Sequence, residues 1–144
     1  MNRELQQEFW KAFPGIFRER TLPMTQTAMC WGLEIGDGWA ELLWKLCCRI
    51  LAFQRFHRCE VIAKQVKEKY GGLRFYWRIQ FQRNDVLPGE SLDCFLQMCR
   101  LTDRYEDESL HTCEECGRPG RCVSNAGWVL TRCDECLERS RIKR

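Results

Sequence analysis

Four cysteines near the end of the chain have the types and spacing of a metal site. Cys113 and Cys116 form one C-x2-C pair, Cys133 and Cys136 form a second, and 16 residues separate the pairs. Each short pair can form a turn whose two sulfur atoms point at one ion, and two pairs complete the thiolate tetrahedron of structural zinc. Because four protein ligands leave no position for water, we expect one Zn²⁺ with a structural role. Metal binding would supply much of the folding free energy of so small a segment.

Seven further cysteines lack this spacing. In a chain without a secretory signal, metal ligands and buried thiols are favoured over disulfides, and free cysteine commonly packs as a small apolar residue. We expect most of these thiols to be buried in the core or partly buried, and a redox or second metal role stays open as the alternative. His111 and Cys122 are the alternative ligands closest to the pairs. The seven are Cys30, Cys47, Cys48, Cys59, Cys94, Cys99 and Cys122.

Catalytic patterns are not found in the sequence. The two histidines, His57 and His111, do not lie in an H-E-x-x-H motif or beside an orienting residue, and the chain has no P-loop and no G-x-S-x-G. We therefore predict that the protein is not an enzyme and that it has no small-molecule substrate.

The helices and strands that must position the cysteines are predicted to form an α+β fold, a small antiparallel hairpin or sheet packed with helices. Hydrophobic periodicity predicts helices over residues 3–13, 38–56 and 91–109, and alternation around Gly71-Gly72 predicts an antiparallel hairpin over residues 61–81. Asp37 and Ser91 are the expected N-caps of the second and third helices. In the third helix we expect the buried face to be formed by Leu92, Phe95, Leu96 and Cys99.

These elements suggest three regions. Residues 1–110 form an α+β core domain, residues 111–137 a zinc-ribbon module with a hairpin that turns at Asn125-Ala126-Gly127, and residues 138–144 a basic, frayed tail. With 144 residues, 44% of them apolar, the chain is long enough to bury one core.

Charge and hydropathy point to the cytoplasm. Seven charged side chains among the first 20 residues exclude a secretory signal, and no apolar run is long enough for a membrane span. The formal net charge is +3, and a loaded four-thiolate zinc site lowers it by about two charges. A chain so close to neutrality offers weak support for a phosphate-binding surface.

Three motifs together resemble a group of small uncharacterised proteins of phages and prophages. They are Gly36-Asp37-Gly38-Trp39 at a helix start, the QVKEKYGGLRFY hairpin over residues 65–76, and the cysteine pairs with Gly127-Trp128 between them. The similarity spans about residues 30–137. The resemblance implies a phage accessory protein in the cytoplasm of a bacterial host. Many such proteins are stoichiometric inhibitors of host systems such as CRISPR complexes.

Two hypotheses of function follow. The first is a phage protein that binds a host protein complex and inhibits a defence system, as an anti-CRISPR does, because tryptophan and arginine are enriched in interface hot spots. Its candidate contact residues are Trp44, Arg74, Tyr76, Trp77 and Arg78. The alternative is a zinc-ribbon regulator that contacts nucleic-acid phosphates through Arg118, Arg121, Arg132, Arg139, Arg141, Lys143 and Arg144. A structural role in the phage particle is a third option, for which the sequence shows no repeat or coiled coil.

Overall fold

Helices and strands are interspersed along the chain in the computed structural model, which describes residues 1–125 and 127–142. A three-stranded sheet packs with three helices, and a two-stranded hairpin carries the four-cysteine cluster, which confirms the α+β fold class. The elements are α1 (Arg3–Ala12), β1 (Leu33–Glu34), α2 (Ala40–His57), β2 (Cys59–Lys69), β3 (Gly72–Phe81), α3 (Pro88–Ser109), β4 (Arg121–Asn125), β5 (Trp128–Arg132) and α4 (Asp134–Ile142).

The main sheet has the strand order β1-β2-β3. The short β1 pairs parallel with β2, and β2 pairs antiparallel with β3. A bulge between Ala63 and Gln65 shifts the register, and the Ala63 N–H beside it bonds the carbonyl oxygen of Ile16 at 2.8 Å. One hydrophobic core lies between this sheet and α1, α2 and α3, and its largest fully buried side chain is Trp39.

The β2–β3 turn lies one residue earlier than the sequence suggested. Tyr70 and Gly71, with φ of 52° and 78°, form the turn, while Gly72 already pairs with Lys69 in the sheet. Positive φ at both central residues is what a tight type I′ hairpin turn requires. The Gly71 N–H donates to the Glu68 carboxylate at 2.6 Å, which helps to hold the turn.

Asp37 does not cap α2, contrary to the sequence prediction. It begins a single 3₁₀ turn over Asp37–Trp39, and no side chain caps either this turn or α2. Its carboxylate instead accepts hydrogen bonds from the backbone N–H and the side-chain amide of Asn2, at 2.6 and 2.8 Å. Burial acts to raise the pKa of Asp37, but these hydrogen bonds outweigh it and hold the pKa below its usual value. Asp37 therefore joins the N-terminus to α2.

Helix α3 begins three residues before Ser91. Pro88 occupies the first turn, and the Glu90 carboxylate accepts the N–H of Leu87, the residue that precedes the helix. Proline in the first turn with glutamate at the third position is a common helix start, so Ser91 is not the cap.

Two side chains of α3 also cover the outer edge of β3. Ser109 Oγ accepts the Leu73 N–H at 2.8 Å, and the Glu106 carboxylate accepts the Phe75 N–H at 2.9 Å. Edge strands whose backbone groups remain unpaired promote aggregation, so this half of the edge is protected by α3.

The C-terminal segment is helical where the sequence suggested a frayed tail. Helix α4 runs over Asp134–Ile142, beginning within the second cysteine pair, and residues 143 and 144 lie outside the described part. No helix in the described ranges is both long and apolar enough to cross a membrane.

Candidate metal centre

The four predicted ligands come together in one cluster. The sulfur atoms of Cys113, Cys116, Cys133 and Cys136 all lie within 4.8 Å of one another, and the Cys116 and Cys133 sulfurs are 3.6 Å apart. A tetrahedral zinc ion with Zn–S bonds of about 2.3 Å places its sulfur ligands about 3.8 Å apart. All 11 cysteines are free thiols, so no disulfide competes for these sulfurs. The donor set therefore fits a metal ion, and the cluster is a possible metal site.

A local turn and a hairpin bring the two cysteine pairs together. After the first pair, the Gly117 N–H returns to the carbonyl oxygen of Cys113 and the Cys113 N–H bonds the carbonyl oxygen of Arg118, both at 2.8 Å. These bonds close a tight knuckle around Cys113 and Cys116. The β4–β5 hairpin then brings the chain back, with Arg121 opposite Arg132, so that the second pair lies beside the first. Ala126, in the predicted turn of this hairpin, lies outside the described residues.

Arginine side chains lie against the sulfurs. The guanidinium of Arg139 donates to Cys136 Sγ at 2.7 Å. A hydrogen bond from the Arg118 side chain is the main reason that the pKa of Cys116 falls to about 6, whereas burial raises the pKa of Cys136 to about 12. Coordination by a metal deprotonates thiols outright, so a bound ion would override this difference.

The knuckle docks on Gly36-Asp37-Gly38-Trp39. The N–H of Gly38 donates to the carbonyl oxygen of Glu114 at 2.8 Å, and the N–H of Gly36 donates to the Glu114 carboxylate at 2.9 Å. The indole N–H of Trp39 bonds the carbonyl oxygen of Thr112 at 2.7 Å. A Cβ on Gly38 would lie 2.2 Å from the carbonyl oxygen of Cys113, so only glycine permits this approach. The motif is therefore the docking site for the first cysteine pair.

The hairpin of the module docks on the β2–β3 turn. The Thr131 hydroxyl, which is fully buried, donates to the carbonyl oxygen of Gly71 at 2.6 Å. A Cβ on Gly71 would lie 3.2 Å from a Val129 methyl group and 3.4 Å from Cys122 Sγ. Cys122 thus faces the turn rather than the cluster, and neither Cys122 nor His111 belongs to the metal site formed by the described residues.

The three motifs that the sequence analysis grouped therefore meet at one interface. Gly36 to Trp39 and Tyr70 to Gly72 form the receiving surface, and the cysteine module contacts both. Sequence reasoning identified each motif but assigned the glycines to a helix start and a turn. Their second role, close approach to parts of the chain about 60 to 80 residues away, has no local signal in the sequence.

The remaining cysteines only partly follow the expectation of buried thiols. Cys47, Cys59 and Cys94 are buried, and burial raises the pKa of Cys59 to about 12, which keeps its thiol protonated and inert. Cys99 is half-buried, whereas Cys30, Cys48 and Cys122 are exposed.

The arginines proposed to contact phosphates are held in ion pairs within the module. Arg118 pairs with Glu135 at 2.6 Å, Arg121 with Asp134 and Arg132 with Glu115, while Arg139 lies 3.9 Å from Glu115. The side chain of Arg141, together with Lys143 and Arg144, lies outside the described residues.

The five candidate contact residues do not share one face. Arg74, Tyr76 and Arg78 lie on one side of β3, where Arg74 pairs with Glu106 at 3.4 Å and Arg78 with Glu19 at 3.1 Å. Trp77 points to the opposite side, because neighbouring strand residues alternate, and its ring centroid lies 5.3 Å from that of Phe95. Trp44 packs edge-on against Phe9 of α1 and against Phe13, which directly follows that helix, with ring centroids 5.2 and 4.8 Å apart.

The face of α3 predicted to be buried is exposed. Leu92, Phe95 and Leu96 retain 59%, 50% and 44% of their accessible surface. The helix is rotated so that its core face carries Cys94, Met98, Thr102, Tyr105 and Ser109. Two overlapping apolar stripes fit the periodicity of this segment, and sequence reasoning chose the wrong one. The exposed stripe is the feature that it missed.

Comparison with known proteins returned no match: no protein-family model, no curated protein and no solved structure matches this chain.

Proposed function

We propose that the cluster binds one structural Zn²⁺ through Cys113, Cys116, Cys133 and Cys136. Four thiolates in a closed tetrahedral arrangement are the preferred structural site of zinc, and the sulfur separations suit this ion. The ion would join the knuckle to α4 and would thereby stabilise the surface that docks on Gly36 to Trp39. Its role in the proposal is to hold the fold and not to activate water.

We further propose that the protein acts without catalysis, by binding a partner protein in a stoichiometric complex. The observation that carries this proposal is the exposed apolar stripe of α3, which Leu92, Phe95 and Leu96 form. Leu87, just before the helix, is 64% exposed and extends the apolar surface at this end of α3. Contiguous exposed apolar surface of this kind commonly marks a protein contact.

The side chains beside the stripe suit an interface. The ring of the half-buried Trp77 packs on the ring of Phe95 and so supports this exposed side chain. Large aromatic anchors in such positions often dominate binding energy. The imidazole of His57 is held by neighbouring side chains: its Nε2 lies 3.1 Å from Gln97 Oε1, and its ring packs on Phe53.

The partner we propose is a host defence complex, such as a CRISPR effector assembly. The proposal rests on the resemblance to phage and prophage proteins and on the absence of a catalytic pattern in the sequence. The ion pairs of Arg118, Arg121 and Arg132 make the nucleic-acid alternative less favourable, because a carboxylate of the module already offsets the charge of each guanidinium.

The test is expression of the protein in a bacterial strain that carries an active CRISPR system and is challenged with a phage that the system targets. We expect plaques to be restored and a tagged chain to retain the effector complex after nuclease treatment. Plaque counts equal to those of the empty vector across CRISPR types would refute the proposed target. Retention that disappears with nuclease would favour the nucleic-acid alternative.

Two variants test whether the apolar stripe of α3 is the contact surface for the partner protein. Phe95→Ser with Leu96→Ser removes apolar surface at two residues outside the buried core, and we expect it to abolish both retention and plaque recovery. Phe56→Ser is the matched control, since Phe56 is 82% exposed on α2. Equal activity of both variants would show that α3 is not the contact face.

A further inference from the structure

A second surface feature lies far along the chain from both the metal site and α3. An open cleft of about 410 Å³ forms where α1 meets the 3₁₀ turns at Arg18–Thr21 and Ala28–Trp31. Two tryptophans and two arginines line it, Trp10, Trp31, Arg3 and Arg20, together with the side-chain amides of Gln6 and Gln7. Its volume falls within the range of small-molecule sites.

The tryptophans provide flat apolar surface. Trp31 is 60% exposed, which is unusual for a residue that normally buries most of its ring. Trp10 is half-buried, its ring packs edge-on against Phe17 with the centroids 5.1 Å apart, and the guanidinium carbon of Arg20 lies 5.6 Å from the Trp10 ring. Trp10 is therefore held in place, and Trp31 offers a free face to a planar ligand.

The charge of the cleft is positive. No carboxylate lines it, and in the described part of the chain neither Arg3 nor Arg20 belongs to an ion pair. The nearby Arg18 differs, since it pairs with Glu60 at 2.9 Å. Arg20 uses one N–H to bond the carbonyl oxygen of Phe17 at 3.1 Å, which orients the guanidinium and leaves its other donors available. The cleft therefore has no negative side chain to balance a cation, whereas two guanidinium groups, those of Arg3 and Arg20, can balance an anion.

We propose that this cleft binds a nucleoside phosphate, with the base stacked on Trp31 and the phosphate held by Arg3 and Arg20. Aromatic stacking combined with arginine contacts to phosphate is the general means of binding nucleotides without strong base preference. Gln7 is exposed and can bond a base edge, whereas both polar atoms of the Gln6 amide already bond the backbone, at Leu33 and Met1. The ligand is a free mononucleotide or one nucleotide of a single strand. This site is independent of the proposed protein contact on α3.

The test is isothermal titration of the full, zinc-loaded chain with four probes: a nucleoside 5′-monophosphate, the matching nucleoside, inorganic phosphate, and a five-nucleotide oligothymidylate. We expect the monophosphate to bind at least about tenfold more tightly than the nucleoside or phosphate alone, because each of those lacks one half of the recognition. Tighter binding of the oligonucleotide than of the monophosphate identifies a single strand as the source, and equal binding identifies a free nucleotide. No heat with either ligand at millimolar concentration, or phosphate binding as tightly as the nucleotide, would overturn the inference.

Variants locate the binding. We expect Trp31→Ala to weaken nucleotide affinity about tenfold or more and Trp31→Phe to recover much of it, because phenylalanine still stacks. Arg3→Gln should also weaken binding. Trp128→Ala is the control, since Trp128 is 73% exposed on the hairpin of the cysteine module. Affinity that is unchanged in both Trp31→Ala and Arg3→Gln would rule out this cleft. Because Trp31 and Arg3 are exposed, we expect thermal midpoints like that of the wild type, which separates binding from folding.

Discussion

Replacement of Gly38 by alanine tests the docking of the cysteine module on the core. An added Cβ would lie 2.2 Å from the carbonyl oxygen of Cys113 and 2.5 and 2.6 Å from the backbone nitrogens of Gly117 and Cys116. All three contacts are with backbone atoms of the metal knuckle, so no side chain can rotate away. The backbone of Gly38 itself is unstrained, and the whole cost therefore arises at the interface.

The size of the effect follows from the packing and the hydrogen bonds at this interface. Forcing one methyl group into a closely packed interface costs about 1–3 kcal/mol. If the knuckle moves away, the hydrogen bonds from Gly38 to Glu114 and from Trp39 to Thr112 break as well, at about 1 kcal/mol each. We expect the free energy of unfolding to fall by about 2–5 kcal/mol, a large share of the roughly 5–15 kcal/mol typical of a domain.

Urea denaturation of the zinc-saturated protein measures this change. With a slope of about 1–3 kcal/mol per molar, the midpoint of urea denaturation should fall by at least about 0.7 M. The rate at which a chromophoric chelator removes the metal should rise in parallel, because the knuckle carries two of the four ligands. Gly89→Ala is the control, since nothing lies within 4 Å of a Cβ there, and loss of a helical glycine should leave stability unchanged or slightly higher. A Gly38→Ala protein with the midpoint and the metal-release rate of the wild type would refute the docking argument.

Three other results are expected. Cys116→Ser should lower bound zinc below one ion per chain by atomic emission and reduce the thermal midpoint, while Cys48→Ser, at an exposed thiol outside the cluster, should change neither. Ser109→Ala leaves the buried Leu73 N–H without its acceptor and should cost about 1–3 kcal/mol in urea titration; a loss below about 0.3 kcal/mol would contradict the role of Ser109 at the β3 edge. Burial acts to raise the pKa of Glu19, but hydrogen bonds from Lys64 and Arg78 outweigh it and hold the pKa below 4.5, so this ion stabilises the fold above about pH 4.5 and the contribution is lost as the pH falls through the folded-state pKa. The stability advantage of the wild type over Glu19→Gln, measured by denaturation from pH 7 to pH 3, should therefore shrink on acidification, and a difference independent of pH would disprove the assignment.

Features that depend on neighbouring residues could be predicted from the sequence alone. The four cysteines form one cluster because each C-x2-C pair needs only a local turn and the hairpin between the pairs needs only a short return. The hairpin of β2 and β3, the long α2 and the α+β class follow in the same way from period-2 and period-3.6 patterns. The Pro88 and Glu90 signal at the start of α3 was also present in the sequence, but the prediction chose Ser91 instead.

Contacts between distant residues were decided only by the tertiary structure. Asp37 has the chemistry of a cap, yet Asn2, 35 residues earlier, takes its carboxylate. Helix α3 carries two apolar stripes of similar quality, and packing against α2 and β3 selects Met98 for the core and leaves Phe95 exposed. Local periodicity cannot choose between them, because the choice depends on the free energy of burial against elements elsewhere in the chain. For the same reason the role of Gly38 could not be predicted from the sequence. Its lack of a side chain matters only because the cysteine module lies against it.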